Sequence, residues 1–182
     1  MTVHAPLDVP PAAATVEELA ERAGGIAMSI AMATLRDPEK AADVAQDVVV
    51  DVLRGLPRLK DRRAFDAWVR RIAVRHLSRA LRRRTVRRAR EAELTEEVAT
   101  TGADHEAVLL RLSVARALAK LPPRQQLAVI LRYLHDLSDA DVATALGCRT
   151  GTAASLLSRA RSTLREDAEL RRLMGPDWKD WT

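Results

Sequence analysis

The feature that most constrains the fold is LSDADVATALGCRTGTAASLLSRARSTLR, residues 137–165. Ser138 with Asp141 three residues later is a capping-box pattern, which predicts the start of a short helix. Gly147 predicts its end, because glycine readily adopts the left-handed conformation found there. A second helix is predicted beyond it, since apolar residues recur at i, i+4, i+7 and i+11 from Ala153 to Leu164. Two helices joined by a glycine turn are typical of a helix-turn-helix.

The composition extends this helical prediction to the whole chain. Hydrophobic residues make up 47% of the 182 residues, which is enough for a packed core, while aromatics are only 3%. Ala, Leu, Arg and Glu dominate, and all of them favour helix. The formal net charge is +5, which favours a polyanionic partner but equally fits a well-solvated basic surface. We therefore expect an all-α protein, two small helical domains joined by a flexible acidic linker.

Several function classes find no support in the sequence. Cys148 is the one cysteine, and the four histidines are scattered without metal-ligand spacing, so neither a disulfide nor a metal or other cofactor is expected. The sequence has no recognisable nucleophile arrangement and no glycine-rich phosphate loop, so an enzyme is not expected. No apolar run approaches the ~18 residues of a membrane span. The N-terminus lacks the basic and apolar regions of a secretory signal, so a cytoplasmic location is expected.

Changes in composition divide the chain. The segment 79–90 holds seven arginines, whereas 91–106 holds six acidic residues and no Lys or Arg. Gly24 and Gly25 interrupt the first predicted helix and are candidates to split it. The predicted organisation is a disordered tail at 1–15, a first domain at 16–90, a linker at 91–106, a second domain at 107–168 and a tail without clear pattern at 169–182.

Apolar spacing predicts the core of both domains. Val44, Val48 and Val52 form an inner stripe on a helix that begins with the cap Asp37 and with Pro38. Phe65 and Trp68 share helical spacing with later apolar residues, so both are assigned to the core. In the second domain, the prolines of LPP at 121–123 predict a helix start, followed by a core stripe that consists of Leu127, Ile130, Leu131 and Leu134.

Three segments together carry a resemblance to a known family. They are RDPEKAADVAQDVVVDVLRGL at 36–56, FDAWVRRIAVRHLSRALRRR at 65–84, and the region 121–165 that ends in the helix-turn-helix. In this order the chain resembles the extracytoplasmic-function sigma factors of bacteria. The resemblance implies a subunit without catalysis of its own that binds bacterial core RNA polymerase and promoter DNA. It also leaves open an anti-sigma factor that holds the protein inactive.

The first segment is implied to dock on core polymerase. Its polar face carries acidic and amide groups that suit pairing with arginines of a partner helix. Val50, expected to be exposed in the same face, favours an interface, although an ordinary solvated face explains the same residues. The implied docking residues are Asp43, Gln46, Asp47 and Arg54.

The second segment is implied to capture the melted strand of the minus-ten element. A loop before the helix would hold a flipped base, and arginines on the helix would grip the backbone, since arginine binds phosphate and stacks on bases. The family often has Asn where Arg75 stands, which favours backbone contact here. The implied residues are Leu59, Lys60, Asp61, Arg62, Arg63, Arg71, Arg75 and His76.

The helix-turn-helix is implied to read the minus-thirty-five element as duplex. Its second helix would enter the major groove, with phosphate contacts from arginines further along. A capping Ser is usual in the family where Arg149 stands, and basic residues are usual where Ala154 and Leu156 stand. Thr150 or Thr152 is therefore expected to act as the cap. Recognition of the upstream element is expected to be weaker or to depend more on DNA shape, with packing of Leu156 against a neighbouring helix as the alternative explanation for that residue. The implied residues are Arg149, Thr150, Thr152, Ser155, Ser158, Arg159, Arg161 and Arg165.

Two other functions stay open on the sequence alone. One is an autonomous helix-turn-helix regulator, which would bind duplex DNA without polymerase and usually as a dimer. The other is a sigma-like decoy that only engages a partner. Within the sigma-factor interpretation, Glu93, Glu96 and Glu97 of the linker either mimic nucleic acid in a basic channel or are simply solvated.

Overall fold

The computed structural model describes residue 11, residues 13–90 and residues 105–174, with side chains described except at 84–90, 105–109 and 174. Every regular element in those ranges is helical. The first group of helices is α1 (Val16–Leu35), α2 (Pro38–Gly55) and α3 (Phe65–Arg90). The second group is α4 (His105–Lys120), α5 (Pro123–Val129), a π-helical turn (Ile130–Leu134), α6 (Asp139–Leu146), α7 (Thr150–Glu166) and α8 (Ala168–Met174).

Local capping fixes where the first helices begin. The Thr15 hydroxyl accepts from the backbone N–H of Glu18, whose carboxylate accepts from the N–H of Thr15. The Asp37 side chain caps α2, as predicted, and Pro38 follows at its first position. Because Thr15 caps α1 and Ala14 is buried, the predicted disordered tail is wrong for its last residues. The remainder of that tail lies outside the described residues.

The first helix is continuous through its two glycines. Leu19, Ala23, Ala27 and Ile30 are all buried on one side of α1, before and after Gly24 and Gly25. The predicted split at these glycines is therefore wrong, because burial of a continuous apolar face outweighs the low helix propensity of glycine.

The third helix is buried on two sides. Phe65 and Val69 are buried, as their spacing predicts, and α3 contacts both α1 and α2. Val74 and Leu81 lie on a different side of the helix and are buried as well. α3 also contacts α5 and α6 of the second group.

The two groups of helices therefore pack against each other. Buried side chains from both form one connected apolar cluster. A buried hydrogen bond crosses the same interface, from Gln126 Nε2 to the backbone carbonyl of Thr34 at 3.3 Å. The sequence predicted two helical domains, which is confirmed, but it did not predict that they would be in contact.

A π-helical turn changes the register after α5. Leu127, Ile130 and Leu131 are buried as predicted, whereas Leu134 is 58% exposed. The prediction for Leu134 assumed a period of 3.6 residues, and the wider π turn from Ile130 to Leu134 rotates it away from the core. An exposed leucine therefore lies immediately before the helix-turn-helix.

The helix-turn-helix forms as predicted. Ser138 caps α6 and hydrogen-bonds Asp141, and Gly147 ends α6 in the left-handed conformation with φ 61°. The predicted C-terminal tail is wrong in its first residues, because α8 packs on α4 and buries Leu170. Ser113 Oγ donates to Glu169 Oε1 of α8 at 2.6 Å, and Lys120 Nζ donates to Asp167 Oδ2, in the residue just before α8, at 2.8 Å. The two tryptophans beyond it lie outside the described residues.

Candidate functional site

One face of α2 is exposed and combines acidic with aliphatic side chains. The four residues implied for polymerase docking, Asp43, Gln46, Asp47 and Arg54, are all exposed. Between them lie Val50, exposed to 37%, and Leu53, exposed to 39%. At ~100° per residue these six positions share a sector of about 120°, opposite the buried Ala45, Val48 and Val52. The exposure of Val50 is confirmed, and Leu53 adds to it.

A stripe of arginines runs along the exposed side of α3. Arg71, Arg75, Arg79 and Arg82 are all exposed and stand at i, i+4, i+8 and i+11. They fall within about 80° of the helix circumference at ~100° per residue. We call these four residues the arginine stripe. It lies between the side of α3 that packs on α1 and α2 and the side that faces the second domain.

Asp51 joins the α2 face to the arginine stripe. Its Oδ2 accepts from Arg75 Nη2 and from His76 Nε2, each at 2.9 Å. His76 Nδ1 also lies 3.9 Å from Asp47 Oδ2. The hydrogen bond from His76, aided by the charge of Arg75, holds the pKa of Asp51 below its usual value. His76 is only 15% exposed and faces these carboxylates, so its ring belongs to the contact between α2 and α3.

Several side chains of the loop between α2 and α3 make contacts within the protein. Leu59 packs against the core, and the Asp61 side chain accepts from the N–H of Arg63 at 2.9 Å. Arg62 Nη1 donates to the backbone carbonyl of Ala14 at 3.1 Å. Lys60, Arg62 and Arg63 are nevertheless exposed, so three cations line the outside of this loop.

The exposed face of α7 is small and rich in hydroxyls. Arg149, Thr150, Thr152, Ser155, Ser158 and Arg159 are exposed, while Arg161 and Arg165 are half-buried. Ser155 Oγ donates to the Gly151 carbonyl at 2.8 Å, so its oxygen is left to act as an acceptor. Leu156 is partly buried and packs against the core cluster, in line with the packing alternative for this residue.

The start of α7 carries no side-chain cap. Arg149 occupies the N-cap position and makes no capping hydrogen bond. The prediction that Thr150 or Thr152 acts as the cap is wrong, because both residues lie within the helix. The first turn of α7 contains no acidic residue, so the partial positive charge of the helix N-terminus is not offset by a neighbouring carboxylate.

The turn of the helix-turn-helix lies beside α3. A Cβ atom at Gly147 would lie 3.9 Å from Arg71 Nε. His135, just before α6, has its pKa lowered by burial and by the charge of Arg70 on α3. The second domain thus packs along one side of α3, the helix that carries the arginine stripe.

Two residues with specific contacts in the structure, Asp51 and Gln126, were not singled out from the sequence. Asp51 stands four residues after Asp47, where an i+4 continuation of the acidic face was visible. Gln126 lies in an apolar run, and a polar residue predicted to be buried in such a run was the available signal. Among the described residues, none of the helices is both long and apolar enough to cross a membrane.

Comparison with known proteins identifies the family. The model described as Sigma-70 region 2 matches residues 19–87, and the model described as Sigma-70, region 4 matches residues 111–164. The ECF RNA polymerase sigma factor SigM of Mycobacterium tuberculosis is 34% identical over 146 residues, 80% of this chain and 70% of that protein. The RNA polymerase sigma-E factor of Streptomyces avermitilis is 30% identical over 138 residues, 75% of each.

A solved structure has the same fold. It is the sigma factor RpoE in complex with the anti-sigma factor NepR from Bartonella quintana, with a TM-score of 0.59 and 24% identity, covering 89% of this chain and 95% of that one. The matched regions coincide with the two groups of helices that carry the exposed faces of α2, α3 and α7. The chain therefore belongs to the extracytoplasmic-function family of RNA polymerase sigma factors, which direct promoter-specific transcription.

Proposed function

We propose that this sigma factor works through three separate surfaces and performs no catalysis of its own. The α2 face docks core RNA polymerase, the arginine stripe with the loop before α3 captures the melted minus-ten strand, and the exposed face of α7 reads the minus-thirty-five duplex. The observation that carries the proposal is the contrast between neighbouring helices. Exposed carboxylates and aliphatics on α2 lie beside exposed arginines on α3.

The α2 face has the composition of a protein interface. Asp43 and Asp47 can pair with cations of a partner, while Val50 and Leu53 offer apolar area that water solvates poorly. Two exposed branched aliphatics in one helical sector favour a partner over a purely solvated surface.

The arginine stripe has the geometry of a backbone-binding surface. Four guanidinium groups on one side of a helix can follow successive phosphates, and each also offers a flat face to an unstacked base. The cations Lys60, Arg62 and Arg63 extend this positive region to the loop. Such contacts depend steeply on salt concentration and little on sequence.

The α7 face supports weak direct readout. Serine and threonine discriminate bases poorly, and the Ser155 hydroxyl is already committed as a donor to Gly151. Arg149 and Arg159 are its exposed cations. We therefore assign much of the upstream recognition to phosphate contacts and DNA shape.

The compact packing of the two domains has to open for both elements to be bound. The minus-ten and minus-thirty-five elements lie about 25 base pairs apart, roughly 85 Å at ~3.4 Å per base pair. In the structure, α3 and α6 are in direct contact. Binding of both elements at once therefore requires the second domain to leave α3.

Reconstitution with purified components tests the proposal. The full chain is mixed with bacterial core polymerase and genomic DNA fragments, and the 5′ ends of the transcripts are mapped. New start sites that share an upstream sequence are the expected result. Transcription unchanged from core polymerase alone, together with tight duplex binding by the free chain, would favour the autonomous regulator instead.

The docking surface is tested by co-elution with core polymerase. Asp43→Arg with Asp47→Arg is expected to abolish co-elution. Glu17→Arg with Glu21→Arg is the matched control, because it changes the net charge equally on exposed positions of α1. Equal loss in both pairs would show that general charge, and not the α2 face, controls the interaction.

A further inference from the structure

Asp51 lies at the boundary between the two surfaces of the first domain. It follows Asp47 by one helical turn on α2, at the edge of the docking face. Its Oδ2 receives hydrogen bonds from Arg75 Nη2 and His76 Nε2, both at 2.9 Å. One carboxylate oxygen of Asp51 thus accepts hydrogen bonds from two side chains of α3.

The contact restrains Arg75 without consuming it. Arg75 remains 54% exposed, and Asp51 engages one of its nitrogens. A guanidinium group has five N–H donors, so most of them stay available to a second anion. An arginine that is already held loses less side-chain entropy when it binds a phosphate.

His76 in turn restrains Asp51. The imidazole is 15% exposed and its second nitrogen lies 3.9 Å from Asp47 Oδ2. Its ring thus lies between the carboxylates of two successive turns of α2, hydrogen-bonded to Asp51 and close to Asp47. The hydrogen bond from this largely buried ring restrains the Asp51 carboxylate, which in turn pairs with Arg75.

Arg75 differs from the other members of the arginine stripe in this respect. Among the described residues, Arg71, Arg79 and Arg82 form no ion pair, whereas Arg75 is paired with Asp51. The stripe therefore contains one ion-paired arginine among three that form no ion pair. A restrained donor sets the register of a strand, while the other cations contribute charge.

We propose that Asp51 is a positioning residue for capture of the melted promoter strand, because it holds Arg75 in the orientation that binds a strand phosphate. The inference rests on the proposed function of the arginine stripe. Asp51 itself does not touch the DNA. It acts through Arg75, and His76 acts through Asp51.

A purely electrostatic role makes the opposite prediction. Asp51 is a negative charge beside a surface for a polyanion, so its removal would strengthen DNA binding if charge alone mattered. The positioning role predicts weaker binding when the same charge is removed. The sign of the effect therefore separates the two roles.

The test uses holoenzyme made from core polymerase and the full chain. The probe is a fluorescent forked fragment of a promoter mapped by reconstituted transcription, with the minus-ten region single-stranded, and the dissociation rate is measured. Asp51→Asn is expected to raise that rate about threefold to tenfold. Asp51→Glu keeps the charge but displaces the carboxylate by one methylene, and is expected to raise it as well. Glu21→Gln, which removes one exposed carboxylate from α1, is expected to have no effect.

A double-mutant cycle with Arg75→Ala tests whether Asp51 changes the dissociation rate through Arg75. If Asp51 acts through Arg75, Asp51→Asn adds nothing in the Arg75→Ala background. An Asp51→Asn variant that binds as tightly as wild type or more tightly, or one that weakens binding equally in both backgrounds, overturns the inference. Failure of the proposed function gives a different result, since Arg75→Ala alone would then leave dissociation unchanged.

Discussion

Gln126 of the second domain donates a hydrogen bond to the backbone carbonyl of Thr34, in the last turn of α1, at 3.3 Å. The last carbonyls of a helix have no partner within the helix. Both residues are almost completely buried, so this carbonyl would otherwise be left without a hydrogen bond away from water. The end of a helix in one domain is therefore completed by a side chain of the other.

The first prediction concerns this contact. Gln126→Ala leaves the Thr34 carbonyl unpaired and is expected to destabilise the compact chain by about 1–3 kcal/mol. The measurement is urea unfolding of the full chain, with protease cleavage of the 91–104 segment as a second readout. Gln125→Ala is the matched control, because Gln125 Oε1 is buried without a hydrogen-bond partner among the described residues. Equal destabilisation by the two variants would contradict a specific role for Gln126.

The sequence predicted the elements of this protein better than their assembly. Ser138, Gly147 and Asp37 act locally, so the caps and turns that they specify are found where the pattern places them. The predicted burial of Leu134 was wrong because one π turn changes the helical register, and no spacing rule for an α-helix anticipates such a turn.

The contacts between the two domains could not be predicted from the sequence. Val74 lies in an arginine-rich helix that the sequence does not mark as contacting the second domain, yet it is buried, and α3 contacts α5 and α6. The Asp51 cluster was missed for a related reason. An acidic residue on α2 acquires its role only when packing brings Arg75 and His76 of α3 to it.

The second prediction concerns the close contact between Gly55 and Trp68. A Cβ atom at Gly55 would lie 2.7 Å from Cζ2 of the Trp68 ring, and this ring also packs edge-on against Phe65, with centroids 6.1 Å apart. Gly55→Ala therefore has to displace an indole held in the core and is expected to cost about 1–3 kcal/mol of unfolding free energy.

Gly25→Ala provides the control for that substitution. A Cβ atom at Gly25 meets nothing within 4 Å, and the residue lies inside α1, so alanine is expected to stabilise the chain by roughly 0.5–1 kcal/mol. The two variants are compared by their urea midpoints at constant slope. A Gly55→Ala variant as stable as wild type would show that Trp68 can move aside freely.

The third prediction concerns the uncapped start of α7. Arg149 holds the N-cap position without a side-chain hydrogen bond, so Arg149→Ser is expected to stabilise the helix by about 0.5–2 kcal/mol, whereas Arg149→Ala is not. The melting temperature of the full chain measures this gain. If Arg149 also contacts promoter DNA, both variants lower transcription from promoters that depend on the upstream element. Higher stability with unchanged transcription would remove Arg149 from the proposed reading face.

The fourth prediction concerns pH and the contact between the two domains. The His135 ring is partly buried before α6, and its Nε2 has no hydrogen-bond partner among the described residues. Burial first, and the charge of Arg70 on α3 second, lower its pKa below the ordinary value of 6.5. The folded, compact chain therefore favours the neutral imidazole.

The sign of the pH dependence follows from this lowered pKa. Well above pH 6.5 the ring is neutral in both the folded and the unfolded chain, so it does not affect stability there. As the pH falls below 6.5, the unfolded chain takes up a proton that the folded chain resists, and unfolding becomes more favourable. The compact arrangement is thus expected to be most stable near neutral pH and to weaken in mild acid.

The measurement is the unfolding free energy of the full chain at pH 7.5 and pH 5.5. His135→Gln replaces the ring with a neutral amide and is expected to reduce the loss of stability between the two values, while His76 is present in both proteins. Asp51 and Asp167 also have lowered pKa values. The stability that these carboxylates contribute is lost only as the pH falls below their ordinary pKa of 3.8, outside the range between pH 7.5 and pH 5.5. An equal loss in wild type and His135→Gln would show that the interface between Arg70 and His135 does not resist protonation.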